Sequence, residues 1–148
     1  MRTTEQFPAG IPRLNHVAMS LPADALDADG RAEILEFYGD CFGWEELPSE
    51  TVDRRKMVIA VGHWDQFVFL HAEDEPMRSP RLDHFGMSVQ SLADLESAWA
   101  RVARWAERDP RVDVIEPDVD DFDVLKVHAF YVRHLLPMMV ELQFWEFP

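Results

Sequence analysis

Two histidines, His16 and His84, occupy the same place in a segment that occurs twice in the sequence. Residues 12–20 read PRLNHVAMS and residues 80–88 read PRLDHFGMS, so six of the nine positions are identical. If an approximate two-fold axis relates the copies, both first strands approach it and present their imidazoles towards the centre. Such a pair suits a divalent metal ion. Taken singly, each could instead be a strand histidine satisfied by hydrogen bonds.

A carboxylate, Glu141, is the third candidate ligand. It lies within MMVELQF, residues 138–144, where Met, Val and Leu flank it. Burying an unpaired carboxylate is costly, and a bound cation would offset that cost. Two histidines and one carboxylate form a facial triad, which leaves coordination positions open for a substrate or dioxygen. The alternative is that Glu141 faces solvent from a one-sided strand.

The segments that follow each copy predict the same order of elements in both halves. Apolar residues at helical spacing predict a helix over 30–44 and a second over about 90–109, with Ser91 as its N-cap. Short segments rich in β-branched and aromatic residues predict three strands after each helix. They lie at 45–51, 56–62 and 66–72 in the first half and at 111–115, 124–132 and 138–144 in the second. Each half is therefore predicted to be β-α-β-β-β.

The repeat predicts an α+β fold of two tandem modules, residues 12–75 and 80–148, joined by PMRSP at 76–80. One helix covers only one face of a four-stranded sheet, so the other face must be covered or form a cavity. Two modules side by side would curve into a partly open barrel around a shared site. The concave interior is then the expected ligand site.

Charge and composition narrow the class of partner. The 148 residues carry a formal net charge of −14, and no basic patch offsets it, so nucleic acid is an unsuitable ligand. No apolar run approaches the roughly 20 residues that span a bilayer. Cys41 is the only cysteine, so no disulfide can form within the chain. The N-terminal sequence lacks the apolar core of a signal peptide. We expect a cytoplasmic protein without a membrane or nucleic-acid partner.

The chain resembles the vicinal oxygen chelate superfamily, which includes glyoxalase I, extradiol dioxygenases, fosfomycin-modifying enzymes and bleomycin-resistance proteins. The resemblance rests on the pair LNHVAMS and LDHFGMS, on EFYGDCFGW at 36–44, and on FYVRHLLPMMVEL at 130–142, which is similar to FYVRDPDGNxxEL. It implies that His16, His84 and Glu141 bind one divalent metal ion. Iron(II) is favoured, and manganese, nickel or zinc would also suit these ligands.

Two departures from the family pattern stand out. The strand QFVFLHA aligns with MMVELQF so that Phe69 takes the place of Glu141, which removes the fourth ligand used by glyoxalase I and the related epimerases. A register slip of two residues would place His71 there instead. In addition, residues 134–137, HLLP, replace a polar turn. An apolar turn there is expected to pack against another chain or to close the pocket.

The three-ligand set implied by the resemblance is that of extradiol dioxygenases and fosfomycin-modifying transferases. In the dioxygenases a tyrosine ten residues before the glutamate contacts the substrate, and Tyr131 stands ten residues before Glu141. The alternative is that Tyr131 serves only in packing. The acid–base candidate is His71, on the same strand face as Phe69, because histidine titrates near neutrality. His128 is predicted to point away from Tyr131.

The expected function is therefore that of a metal-dependent enzyme acting on a small substrate with adjacent oxygens, extradiol-dioxygenase-like in its ligand set. A glyoxalase- or epimerase-like lyase or isomerase remains an alternative. A fosfomycin-type site would need cations around the metal, and the second half offers Lys126 and Arg133. A bleomycin-resistance-like protein that sequesters a planar ligand is a further alternative, which Phe69 and the other strand aromatics favour. The resemblance also implies a homodimer.

Overall fold

The structure is a computed structural model that describes residues 9–47 and 55–148. Within these residues the chain forms two modules of the same element order, as the repeat predicted. The first module consists of β1 (His16–Pro22), α1 (Ala28–Phe42), β2 (Glu45–Glu46), β3 (Lys56–His63) and β4 (Gln66–Glu73). The second consists of β5 (His84–Ser88), α2 (Leu92–Arg108), β6 (Asp113–Asp121), β7 (Lys126–Arg133) and β8 (Met139–Glu146). The last part of the strand predicted over 45–51 lies outside the described residues.

Each module folds into its own four-stranded sheet. The strand orders are β1-β4-β3-β2 and β5-β8-β7-β6, and the first and last strands of each module pair in parallel while the other pairs are antiparallel. The two sheets do not close into a barrel. Strand β6 continues well beyond the predicted 111–115, because a register shift between Ile115 and Asp118 accommodates Pro117. A bulge at a sheet edge is where a strand tolerates proline.

One face of each sheet is buried and the other is not. On β4, Val68, Leu70 and Ala72 are buried in the core, and the alternate residues Phe67, Phe69 and His71 are only half buried. Buried side chains of both helices and both sheets form one hydrophobic cluster. We call the opposite side of each sheet, which carries no helix, its open face. Alternation along the strands therefore divides residues between the core and the open face.

Both helices begin and end with defined caps. The Asp27 side chain accepts a hydrogen bond from the Gly30 N–H at 2.8 Å, and Ser91 caps α2 as predicted by accepting from the Asp94 N–H at 3.1 Å. Helix α1 ends at Gly43, whose φ of 70° is a left-handed conformation that glycine adopts without a Cβ penalty. Neither helix in the described part of the chain is long and apolar enough to cross a membrane.

The two modules of the chain pack together through α1, α2 and the turn between β7 and β8. The Tyr38 hydroxyl donates to the His134 carbonyl at 2.9 Å, and the Trp105 indole N–H donates to Asp40 at 2.7 Å. In that turn His134 is 2% exposed and Leu136 is 4% exposed. The apolar turn was expected to contact another chain or to close the pocket. Instead it is buried inside its own chain, because it packs against α1.

We expect Gly30→Ala to destabilise the fold and Gly39→Ala, in the same helix, to stabilise it. A Cβ on Gly30 would lie 2.1 Å from the Ala25 carbonyl oxygen, whereas a Cβ on Gly39 would meet nothing closer than 3.5 Å. Overpacking of this kind costs about 2 kcal/mol, and a helical glycine replaced by alanine gains up to about 1 kcal/mol. Urea unfolding of both variants measures the two effects. Equal effects at the two positions would contradict the close approach at Gly30.

We expect the buried His134 to make the fold less stable in acid. Burial lowers the pKa of His134 from its usual 6.5, against the opposing attraction of Asp109, while Arg111 lowers it further and Glu33 raises it. The unfolded chain then binds the proton more tightly, so stability is fully present above about pH 6.5 and is lost as the pH falls below it.

The measurement is the free energy of unfolding of the wild type and of His134→Gln between about pH 7.5 and 5.5. As the pH falls, the free energy of unfolding of the wild type should decrease by up to about 1.4 kcal/mol per pH unit more than that of the variant. Parallel pH dependences of the two proteins would show that His134 is not the responsible group.

Candidate metal centre

Strand pairing in the second sheet brings the predicted ligands of that module onto one face. In the parallel pair β5–β8, Gly86 lies opposite Glu141 and His84 lies opposite Met139. In the antiparallel pair β7–β8, Tyr131 lies opposite Glu141. As a result the His84 Nε2 atom is 3.3 Å from the Glu141 Oε2 atom on the open face. A nitrogen and a carboxylate oxygen at this separation can share one cation.

Glu141 is a buried carboxylate whose two oxygens have different surroundings. Its residue is 7% exposed, and the Tyr131 hydroxyl donates to Oε1 at 2.6 Å. The Oε2 atom faces His84 and Gly86, where a Cβ on the glycine would lie 3.4 Å from it. The absence of a side chain at Gly86 therefore keeps space beside Oε2. Tyr131 orients the carboxylate, and Oε2 remains available for a cation.

The ring of His84 is held in a tautomer suited to metal binding. Its Nδ1 atom lies 2.8 Å from the Leu82 carbonyl oxygen. Because a carbonyl oxygen only accepts, Nδ1 carries the proton, and in the neutral ring Nε2 keeps its lone pair. Metal-ligating histidines are commonly oriented in this way by a second hydrogen bond. The donors of His84 and Glu141 thus fit a divalent ion such as iron(II), manganese, nickel or zinc.

His16 has a similar local arrangement in the first sheet. Its Nδ1 atom lies 2.7 Å from the Asn15 Oδ1 atom, and its ring stacks on Phe67 with centroids 4.9 Å apart. It lines a cleft of about 270 Å³ that residues 85–88 of β5 also line. Within residues 9–47 and 55–148, however, no group of three or more His, Cys, Asp or Glu side chains is placed to hold a metal. One chain brings together His84 and Glu141 without His16.

The first sheet has no counterpart of Glu141. Phe69 lies opposite Ala18 in the parallel pair β1–β4, just as Glu141 lies opposite Gly86. The predicted equivalence of Phe69 and Glu141 is therefore confirmed. His71 lies opposite Ser20, so the alternative slip of two residues does not occur.

The candidate acid–base residue His71 lies on the open face of the first sheet. Its Nδ1 atom is 3.1 Å from a carboxylate oxygen of Glu73, and its ring stacks on Phe69 at 5.7 Å. Both contacts are with its own strand. Glu73 can therefore orient the ring, and Nε2 is the nitrogen left for proton transfer.

Tyr131 has a role that its position in the sequence did not indicate. Its hydrogen bond to Glu141, with burial as the next cause, raises the pKa of the phenol to about 12. The hydroxyl is therefore protonated at neutral pH and acts as a donor. Its ring also meets His84 edge to face at 5.2 Å. The substrate contact that the sequence suggested stays a prediction, and the structure adds contacts with both candidate ligands of this module.

The two cations of the second half that the sequence suggested for a phosphonate site are engaged elsewhere. Arg133 forms an ion pair with Asp113 at 3.2 Å, and Lys126 lies 3.7 Å from Asp121. Lys126 also lies on the core side of β7 together with His128, as predicted for His128.

Sequence reasoning missed Gly86 as a determinant of the site. The signal was visible in the repeat, where Gly86 stands in the second copy at the position that Ala18 has in the first.

Comparison with solved structures identifies the fold. A glyoxalase family protein from Bacillus anthracis superposes with a TM-score of 0.65 at 21% identity, covering 93% of this chain and 98% of its own. An integron cassette protein from the Halifax Harbour sewage outfall gives a TM-score of 0.62 at 17% identity, covering 90% and 98%. The fosfomycin resistance protein FosX from Mesorhizobium loti gives 0.60 at 18%, covering 90% and 92%. No protein-family model and no curated protein sequence matches the chain.

We expect Tyr131→Phe to weaken divalent metal binding about ten-fold, because loss of a residue that orients a ligand typically has an effect of that size. The matched control is His128→Gln, whose side chain lies on the other side of the same strand and contacts Glu146. Calorimetric titration with zinc measures both affinities. An unchanged affinity in Tyr131→Phe would mean that Glu141 is oriented without the hydroxyl or is not a ligand.

Proposed function

Because the chain has the fold of the vicinal oxygen chelate superfamily, we propose that it is a divalent-metal-dependent enzyme acting on a small substrate with two adjacent oxygens. The observation that carries the proposal is the pair formed by His84 and Glu141, 3.3 Å apart on an open sheet face. A buried carboxylate beside an oriented imidazole is costly unless a cation or proton is shared between them. The Tyr131 hydroxyl donates to Glu141, and the Leu82 carbonyl accepts from His84, so both members of the pair are held in position.

The third ligand in this proposal is His16 of a second copy of the chain. His16 stands on the open face of the first sheet, stacked on Phe67, and the His84–Glu141 pair stands on the open face of the second. A homodimer that apposes these two faces would complete a two-histidine, one-carboxylate centre. The first sheet of the second copy would also place Phe69 at the position where a four-ligand centre has an acidic residue. This favours a three-ligand centre with open coordination positions.

Within that class, extradiol-dioxygenase-like chemistry is the activity we favour, with iron(II) as the metal. When bound, the ion would supply a Lewis-acidic centre that holds the two substrate oxygens. Tyr131 keeps the Glu141 carboxylate oriented, and the Leu82 carbonyl keeps the proton of His84 on Nδ1. His71 of the partner is the acid–base candidate, with Glu73 fixing its ring.

Fosfomycin chemistry, to which the Mesorhizobium loti neighbour is linked by name, is less well supported. A phosphonate needs cationic partners around the metal. Arg133 is paired with Asp113, and Lys126 lies on the other side of its strand. A glyoxalase-like reaction uses a metal ion with four protein ligands. Phe69 stands at the position of the fourth ligand and cannot bind a metal, which disfavours this reaction.

The first test is metal content. We expect the wild type to bind one divalent ion per chain, and His16→Ala, His84→Ala and Glu141→Ala each to lose at least about ten-fold in affinity. His128→Ala is the control, since it lies on the core side of β7. Iron-loaded wild type should then consume dioxygen with catechol. A wild type that binds none of iron, manganese, nickel or zinc would remove the enzyme proposal and favour ligand sequestration.

Subunit mixing decides where the third ligand comes from. A His16→Ala chain retains His84 and Glu141, and a His84→Ala, Glu141→Ala chain retains His16. If the centre forms between copies, neither variant binds metal alone, and an equal mixture regains about a quarter of the sites, because half of the dimers are mixed and each has one complete centre. No recovery after the two variants are unfolded and refolded together would rule out a centre shared between copies.

A further inference from the structure

A groove of about 560 Å³ lies at the ends of β5 and β8 of the second sheet. From the open face it is lined by Gly86 and Ser88 of β5 and by Gln143, Trp145 and Phe147 along and just after β8. Met87, Val89 and Phe144, at the alternate positions, also line it. Gly86 is also the residue beside the Oε2 atom of Glu141. The groove therefore begins next to the candidate metal ligand, and its volume is in the range of small-molecule sites.

The polar groups of the groove present hydrogen-bond donors and no charge. The Trp145 indole N–H donates to the Gln143 Oε1 atom at 2.9 Å. Because this bond occupies the amide oxygen, the Nε2 hydrogens of Gln143 are left to donate to a ligand. Ser88 lies opposite Gln143 in the parallel pair, so its hydroxyl shares the same face. The groove can thus recognise a neutral oxygen acceptor.

Two carboxylates of β6 lie on the same open face, two strands away from β8. Asp118 pairs with Ala129, the residue opposite Gln143, and Asp120 pairs with Val127, the residue opposite Trp145. Both aspartates are exposed. Their charge disfavours an anionic substituent in the groove, because like charges brought together across an interface are repelled.

We propose that Gln143, Trp145 and Ser88 form a specificity subsite for a planar, uncharged aryl part of the substrate; the proposal rests on the proposed function for the chelating end. Gln143 follows Glu141 by two residues on one strand face, a separation of about 7 Å. A single six-membered ring with a substituent at each end spans that distance. The ring lies against Trp145, and a neutral carbonyl opposite the chelating oxygens accepts from the Gln143 amide.

The test uses metal-free protein, so that it does not depend on the metal centre. The probe is 3,4-dihydroxyacetophenone, with catechol as the probe that lacks the carbonyl and 3,4-dihydroxybenzoate as the anionic one. The readout is the NMR signal of the Trp145 indole N–H, assigned with Trp145→Phe. We expect a saturable shift with the ketone and weaker binding of the benzoate.

The matched variants are Gln143→Leu and Trp64→Phe. Gln143→Leu removes the amide donor with little change in volume, so ketone binding should weaken about five-fold while catechol binding is unchanged. Trp64 is an exposed tryptophan in the hairpin between β3 and β4, away from the groove, and its replacement should change neither.

Three results would overturn the subsite: no saturable shift of the Trp145 signal, equal weakening of ketone and catechol in Gln143→Leu, or an indole covered by a second copy and unresponsive to every probe. A protein that binds metal but shows no preference for the ketone keeps the proposed function and loses the subsite. A protein that binds the ketone but no metal keeps the subsite and loses the metal centre.

Discussion

The parallel pairing of the first and last strand of each module determines which side chains can act together. In the second module it places His84 and Glu141 on one face although a helix and two strands separate them in the chain. Parallel neighbours require such a long crossover, and here the crossover carries α2, whose apolar stripe packs on β7 and β8. The core on one side of the sheet therefore fixes the register of the polar pair on the other. A one-residue slip of either strand would turn its candidate ligand to the core side and separate the pair.

The same architecture carries different chemistry in its two copies. Where the second module has Tyr131 opposite Glu141, the first has Val58 opposite Phe69. A hydroxyl and a carboxylate satisfy one another, whereas a valine and a phenylalanine need no polar partner. The first module therefore presents the imidazoles of His16 and His71 on a face that also carries Phe67 and Phe69, without a buried carboxylate between them. The second module bears the cost of the buried carboxylate.

Much of the fold follows from the repeat, because local patterns and a shared element order are properties of the sequence. The alignment of Phe69 with Glu141 followed from the same patterns and holds in the strand register. Three features depended on contacts between distant residues and were not predictable. Strand β6 continues past Pro117 because a bulge accommodates it. The turn at His134 is buried because α1 packs over it, and the Tyr131 hydroxyl donates to Glu141, a contact with a candidate ligand that the sequence did not indicate.

The placement of the ligands has a consequence for assembly. If the third ligand comes from a second copy, a two-fold contact supplies it twice, because each chain gives His16 to one centre and His84 with Glu141 to the other. The same contact covers Phe67 and Phe69, half-buried aromatic side chains of the open face, and removing apolar surface from water favours association. Metal binding and dimer formation are then one linked equilibrium, since an ion that binds only the completed centre stabilises the dimer. The proposed dimer would thus give a common purpose to the half-buried aromatic side chains of the first sheet and to the incomplete ligand set of the second.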